Sequence, residues 1–384
     1  MDKAISVLKK NTMVIALIVV LIFFTVATGG KMLLPQNVNN LISQNAYVFI
    51  LATGMLLCIL TGGNIDLSVG CVVCISGAIG GSLMVQKDVS PALAIPVMLL
   101  MGIVIGIWQG FWIAYVRIPP FIVTLAGMLI WRGLSNVILQ GLTLAPLPDS
   151  YLALFNNYVP DFLGGTTINY TCILVGIIVC IVYILLQLRG RVSKAKKGYE
   201  TENMSSMIMK MIVICAVILW FTYKLSLYKG IPFMLLWIAA IVFIYTYITR
   251  KTVIGRHIYA VGGNEKATKL SGINTNHIYF FVYLNMAFLA AVAGLVTAAR
   301  LNSANPTAGV NYEMDAIGAC FIGGASAYGG IGSTGGVVVG ALLMGVINQG
   351  MIIMGVDANW QKVVKGGVLL LAVIFDVLSK KSDK

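Results

Sequence analysis

Long apolar runs broken by short clusters of charge set the pattern of this chain. No charged residue occurs from Met13 to Thr28, nor in 91–116, 167–188, 231–249, 278–299 and 316–356. The last run is long enough to cross a bilayer twice, since a helix needs about 20 apolar residues to span the hydrocarbon core. Only helices and closed barrels satisfy their backbone there, and runs this long without strict alternation are helical. Apolar runs read against turn signals predict about twelve spans, near 13–29, 41–61, 69–86, 91–115, 119–140, 168–188, 208–223, 231–249, 277–299, 313–328, 334–355 and 361–378. The 313–328 run is short and Gly-rich enough to be re-entrant, so 10–12 spans are expected. The fold class is all-α: a polytopic transmembrane helical bundle in which 1–384 form one membrane domain.

Composition agrees with this pattern. Hydrophobic residues make up 59% and charged residues 10%, against about a quarter charged in soluble domains. The net charge of +13 does not point to nucleic acid, because the basic residues fall in short loops and tails. With the N-terminus inside, the even-numbered turns carry Arg117; Arg189, Arg191, Lys194, Lys196 and Lys197; Arg250, Lys251, Arg256, Lys266 and Lys269; and Lys380, Lys381 and Lys384. The opposite side receives Lys31, Lys87, Lys224, Lys229 and Arg300. That bias places both termini in the cytoplasm. Lys3, Lys9 and Lys10 before an apolar run, with Ala27 and Gly29 behind it, resemble a signal peptide; the topology counts correctly only with that segment kept as the first helix.

All seven cysteines (Cys58, Cys71, Cys74, Cys172, Cys180, Cys215, Cys320) lie in or against apolar segments, where cysteine packs as a small hydrophobe. The CxxC of Cys71 and Cys74 has no second pair or nearby histidine, so a zinc or redox site is disfavoured. His257 and His277, the only histidines, share one loop and leave no metal cluster or catalytic triad. No GxxxxGK[ST] phosphate loop is present; ATP-driven work would need a nucleotide-binding partner chain, and no cofactor is expected on this one. Carboxylates within spans are scarce: Asp66, Glu313, Asp315 and Asp376 sit at helix ends. Proton-coupled carriers bury ionisable groups at mid-membrane, and the missing pattern argues against a secondary carrier. The set of residues needed for an intramembrane enzyme is missing too.

Three segments stand out. Thr61–Gly70 (TGGNIDLSVG) joins two spans, with Asp66 or Ser68 placed to cap the next helix. Gly323–Ser333 (GGASAYGGIGS) is a second break. Broken helices at membrane depth line protein or a water-filled cavity, and their ends often face substrate; a capped tight turn is the alternative for each. The third, Ile254–Ile273, predicts a short helix over Glu265–Leu270, capped by Asn264 and stopped by Gly272. Ala267 and Leu270 on one side suit a groove on a partner; the alternative is a basic loop that only sets topology. Gly102, Gly106 and Gly110, and Gly336 with Gly340, form small-residue faces for helix packing. The 141–167 stretch is the longest exterior loop, with room for a short surface helix.

Four motifs together resemble the permease subunits of bacterial ABC importers for monosaccharides, the ribose/xylose/galactose/arabinose branch of a family that includes branched-chain amino-acid permeases. They are GGNIDLSVG (62–70), IPPFIVTLAGMLIWRGL (118–134), GRHIYAVGGNEKATKLSGI (255–273) and IGGASAYGGIGSTGGVVVGALLMGVINQGM (322–351). NWQKVVKGGVLLLAVIFDV (359–377) and an insertion near 189–230, read as one extra helix, are most similar to the xylose-type or multiple-monosaccharide subgroup. The resemblance implies a multi-pass subunit in the bacterial inner membrane, working as a homodimer with an ABC ATPase subunit that binds ATP and Mg, and with an extracytoplasmic sugar-binding protein. The cargo would be a monosaccharide of the xylose, galactose, glucose, arabinose or ribose class. The cytoplasmic loop 250–276 would seat on the ATPase through Gly255, Arg256, Gly262, Gly263, Asn264, Glu265, Ala267, Leu270 and Gly272. Asp66, Ser68 and the 322–333 break with Ser326 would line or brace the pathway. The exterior stretches 141–167 and 300–312, with Asn302, Ser303, Asn305 and Asn311, would face the binding protein. Uncharged hydrogen-bonding candidates along the route are Trp108, Gln109, Trp112, Asn285, Asn348 and Gln349, each equally suited to interhelical packing. Import of another small polar solute and a stand-alone sugar carrier remain the alternatives.

Overall fold

The computed structural model describes residues 12–199 and 203–381; the tail lysines Lys3, Lys9, Lys10 and Lys384 lie outside these. The described residues form fifteen α-helices: α1 Thr12–Ala27, α2 Pro35–Leu60, α3 Val69–Gly81, α4 Pro91–Ala114, α5 Pro120–Leu139, α6 Asp149–Phe155, α7 Tyr170–Lys196, α8 Met204–Ser226, α9 Phe233–Lys251, α10 Val253–Gly263, α11 Glu265–Leu270, α12 Thr275–Leu301, α13 Tyr312–Ile322, α14 Thr334–Ile353 and α15 Ala358–Lys381. Nine of the described helices are long and apolar enough to cross a membrane, counting α3 with its continuation to Gln86. The chain is a polytopic all-α bundle.

The most apolar window of α2 is 94% buried and that of α8 only 6%, which makes α2 the axis and α8 a rim helix. Around α2 pack α12, α13, α14 and α9. In lipid, apolar side chains give little drive for association, so close backbone approach does the work. The predicted glycine faces supply it. A β-carbon on Gly102 would sit 2.5 Å from Ala291 Cβ, one on Gly106 2.7 Å from Leu284 Cα, and one on Gly110 3.0 Å from a Phe280 ring carbon. That row seats α4 on α12. Gly340 and Gly336 seat α14 on α13 in the same manner, 2.0 Å from Ala319 O and 2.1 Å from Gly323 O.

Several expectations change. The span at 313–328 is an 11-residue helix, about 16 Å long at 1.5 Å per residue and too short for the bilayer core. The Gly-rich segment after it completes the crossing, because Gly330 N donates to Leu60 O at the basic-side end of α2. Residues 253–263, read as loop, are helical: Thr252 accepts from Gly255 N and caps α10. The insertion does hold one helix, α8, paired with α7 where Gly176 meets Thr222. The short helix expected within 141–167 exists as α6, with Asp149, Ser150 and Leu154 exposed and Tyr151 and Phe155 anchoring it to the bundle. Tyr151 is fully buried and donates from its hydroxyl to Leu295 O at 2.8 Å.

Candidate functional site

Two chain reversals build the centre. After α2 reaches Leu60, residues 61–68 turn back, so that Asp66 N lies 3.5 Å from Met55 Sδ, about 8 Å up the helix. Helix α3 therefore starts inside the bundle. From the opposite side, residues 302–311 fold in: Arg132, midway along α5, donates to Pro306 O and Ala308 O, both at 2.8 Å. Cys74 Sγ meets Asn305 O and Pro306 O. The reversals touch where Gly70 and Gly309 stack backbone on backbone; a β-carbon on Gly70 would lie 2.1 Å from Gly309 O, and Gly309 has φ +74°. The 300–312 stretch is thus not simply displayed outward. Asn302 accepts from Leu147 N, Asn305 from Thr307, and Ala304 is buried.

Three of the candidates for the route converge. Ser68 donates from N and Oγ to Asp66 Oδ1 at 2.8 and 2.6 Å, and Gln109 Nε2 donates to Ser68 Oγ at 2.6 Å. Neither side chain caps α3 in the expected way: Ser68 holds the N-cap position without a side-chain bond to the first turn. Asp66 Oδ2, Gln109 Oε1 and the neighbouring Trp131 Nε1 are buried with no partner. Such groups call for water or a polar ligand. Gly127 closes the cluster; a β-carbon there would be 2.9 Å from Gln109 Nε2 and 3.1 Å from Trp131 Nε1. Trp108 packs edge-on against Trp131 at 5.4 Å and against Trp112. The other candidates lie elsewhere. Asn285 accepts from the Tyr245 hydroxyl, Asn348 donates to Asn45 at 3.2 Å, and Ser326 closes a turn by accepting from Tyr328 N. Gln349 is buried with its Oε1 unpartnered.

Sequence reasoning placed Glu313 and Asp315 at a helix end and missed the charges packed against them, so the expected lack of buried ionisable groups is corrected here. Asp315 is 0% exposed and pairs with Lys365 of α15 at 2.9 Å, while the Tyr47 hydroxyl donates to the same oxygen at 2.5 Å. Glu313 faces Gly70 and interacts with Arg132, Asp315 and Asp66. Arg132 was visible as the lone charge of its apolar run; the partners of Asp315 were not, being 50 and 268 residues away in sequence.

On the basic side, three glycine segments meet. A β-carbon on Gly262 would lie 1.7 Å from Leu60 O and 2.6 Å from Gly330 N, one on Gly63 1.9 Å from Ala327 O, and one on Gly329 2.4 Å from Gly62. Helix α10 thereby abuts both breaks at once. Gly255 is packed on Ile248 O, while Gly263 has open space. Asn264 caps α11 by accepting from Ala267 N at 3.0 Å, and Gly272 ends it with φ +82°. Arg256 and Ala267 are exposed, and Leu270 is 89% exposed. With Val253, Ile254, Tyr328 and Ile331 also exposed, this side carries an apolar face among basic residues. Glu265 turns inward instead, accepting from Arg117 at 2.8 Å and from Thr275 and Tyr279 at 3.1 Å. Partial burial alone would raise its carboxyl pKa; the Arg117 and Tyr279 hydrogen bonds and the Arg117 charge outweigh that and hold it below the ordinary value. In the loop before α7, Asp161 accepts from Thr171 Oγ1 and from the N–H groups of Leu163, Gly165, Tyr170 and Thr171. Led by the Thr171 bond, these hold its pKa well down. Among the described residues no group of His, Cys, Asp and Glu is arranged to hold a metal ion.

This architecture has relatives. The chain is 39% identical over 373 residues to a xylose transport system permease protein of Haemophilus influenzae, covering 96% of both chains. It is 36% identical over 369 residues to the protein of that name in Escherichia coli, covering 96% of this chain and 92% of the other. To a ribose import permease protein of Escherichia coli it is 35% identical over 342 residues, covering 89% and 85%. No solved structure matches it. The relatives are permeases, and the nine long apolar helices make this a multi-pass protein of the inner membrane. A family model described as branched-chain amino acid transport system / permease component matches residues 37–151 and 152–373, and the chain belongs to that family.

Proposed function

We propose that this chain is the membrane-spanning subunit of an ATP-driven importer for a monosaccharide, a pentose of the xylose class first. The similarity over nearly the whole chain to xylose and ribose permeases supports the substrate class. The partners in this reading are a second copy of the chain, an ABC ATPase that binds ATP and Mg on the basic side, and an extracytoplasmic sugar-binding protein. The carrying observation is the junction at Gly262. A helix beside an exposed apolar face touches both breaks of the bundle, so a push on α10 and α11 reaches the two segments that block or line the route. Each state must bind the ATPase with different affinity for that push to shift the equilibrium. The Asp66, Ser68 and Gln109 cluster, with its unpartnered oxygens, offers hydrogen bonds to sugar hydroxyls in passage. Val253, Leu270 and Tyr328 supply the docking face.

One observation favours a second reading. Buried Asp315 with Lys365, and Glu313 with Arg132, are groups that a proton-coupled carrier working alone would use. Uptake of labelled xylose into proteoliposomes separates the two. Uptake that needs the ATPase, binding protein and ATP, and ignores uncouplers, supports the importer. Uptake by this chain alone that collapses with uncouplers overturns it.

A further inference from the structure

Away from the Asp66 cluster, a cavity of about 180 Å³ opens between α2, the end of α12 and the start of α13, lined chiefly by Ser43, Gln44, Tyr47, Thr297, Arg300 and Tyr312. These residues sit toward the side opposite the basic loops. We propose that this cavity binds one neutral monosaccharide ring on the outer side of each protomer, a subsite ahead of the Asp66 cluster; the proposal rests on the importer reading above.

Size sets the first constraint. The volume equals roughly six waters at ~30 Å³ each and lies below the ~300 Å³ at which drug-sized clefts begin. One sugar ring fits and a disaccharide does not. The wall chemistry sets the second. Tyr47 and Tyr312 stack on each other at 3.5 Å with planes 10° apart, which covers one face of each; Tyr47 is buried, so the half-buried Tyr312 ring is the apolar wall left to meet the C–H face of a sugar. The plate is held still: the Tyr47 hydroxyl is bound to Asp315, which is bound to Lys365. A rigid wall lowers the ordering cost that a weak ligand must overcome.

The remaining groups suit hydroxyls. Ser43, Gln44 and Thr297 both donate and accept, as each sugar hydroxyl does. Arg300 Nε is buried without a hydrogen-bond partner, and no carboxylate pairs with Arg300 among the described residues. A half-buried guanidinium left in that condition costs free energy unless something accepts from it. Its planar fork can donate to two neighbouring hydroxyl oxygens of one ring. A single cation among groups that both donate and accept suits a neutral polyol, and an anion on the same fork is the competing occupant that the xylonate comparison below tests.

The test uses the permease with its ATPase in lipid nanodiscs, without binding protein, and saturation-transfer NMR with D-xylose as probe and D-xylonate and maltose as comparisons. Two variants are made: Ser43→Leu, which fills the cavity, and Arg300→Met, which removes the donor fork. Each is checked for gel-filtration profile and thermal midpoint, so one survives if the other misfolds. Expected are saturable xylose signals in the parent, no transfer to maltose, and at least a tenfold loss in a folded variant. A parent complex that imports xylose with its binding protein, yet shows no saturable signal or one untouched by both variants, overturns the subsite and leaves the importer reading intact. Preference for xylonate over xylose overturns the neutral-ring class. A parent that imports no monosaccharide at all removes the importer reading, and this subsite with it.

Discussion

Gly262→Ala is the most telling single change at the basic-side junction. The added carbon would stand 1.7 Å from Leu60 O, where ordinary contact begins at 3.4 Å. Helix α10 and α2 must therefore part by about 1.7 Å at this point. The obstacle is backbone, not the free end of a side chain, so no rotamer change relieves it. The same carbon would stand 2.6 Å from Gly330 N, so unless α10 withdraws it presses on both ends of the Gly330 N to Leu60 O bond, 3.0 Å long, and drives them apart. Leaving those groups unpaired costs ~1–3 kcal/mol, and forcing an extra carbon into a packed contact another ~1–3 kcal/mol. Gly263→Ala is the internal control, because its added carbon meets nothing within 4 Å. The assay pairs the thermal midpoint of the purified complex with sugar uptake per ATP hydrolysed. Gly262→Ala should lower the midpoint and the uptake ratio, and Gly263→Ala should leave the midpoint unchanged. Identical behaviour of the two variants would refute the claim that α10 touches both breaks through Gly262.

Further expectations follow from the charges. Lys365→Met strands the fully buried Asp315 and should cost ~3–5 kcal/mol, whereas Lys365→Met with Asp315→Leu should regain most of it; equal instability of single and double variants in thermal unfolding would contradict a buried pair. Glu265→Gln loosens α11 from Arg117, a partly exposed pair worth ~0.2–1 kcal/mol. Because the folded carboxyl titrates below its unfolded value, this contribution is full above the ordinary Glu pKa of about 4.3 and fades as pH falls through the folded value. The parent and variant midpoints should differ at pH 7 and converge in acid. Asp161→Asn loosens the loop before α7 through the same sign of linkage: its carboxylate is held low by Thr171 and backbone donors. Limited proteolysis at neutral pH should cut the variant near 161–171 faster than the parent, and the parent should become as sensitive only at strongly acid pH.

Spans were legible because a bilayer demands long apolar runs, and α11 because Asn264 and Gly272 are local signals at its two ends. Helix α10 was hidden by its own composition: the glycines of 253–263 read as loop, yet Gly255 and Gly262 are there because neighbouring backbone leaves no room for a side chain. The glycine faces of α4 and α14 were read correctly as packing, since spacing along one helix reveals a face. What spacing cannot reveal is the partner. The meeting of Gly62, Gly262 and Gly330, and of Tyr47, Asp315 and Lys365, joins segments from 50 to 268 residues apart. Asp66, Ser68 and Gln109 were each named as candidates for the route, with a cap as the alternative for the first two; that they join in one network is another contact no local rule encodes. Arg132 was readable as the one charge in an apolar span; its acceptors, two carbonyls of the infolded 302–311 segment, were not.

The head-to-head meeting of α3 and α13 bears on how the molecule responds to membrane voltage. Both helices aim their N-terminal ends at one spot, the first carrying Gly70 and the second Glu313, and each such end is equivalent to about half a positive charge. Asp66, Glu313 and Asp315 gather there, answered by Arg132 and Lys365. With these groups ionised, the region is close to neutral as a whole although it is crowded with charge. Moving one net charge across 100 mV is worth about 2.3 kcal/mol; a neutral solute passing a neutral core draws on none of it. Potassium diffusion potentials of either sign, imposed on sealed proteoliposomes, should leave the initial rate of uptake unchanged, so that nucleotide alone sets the direction and pace of the cycle.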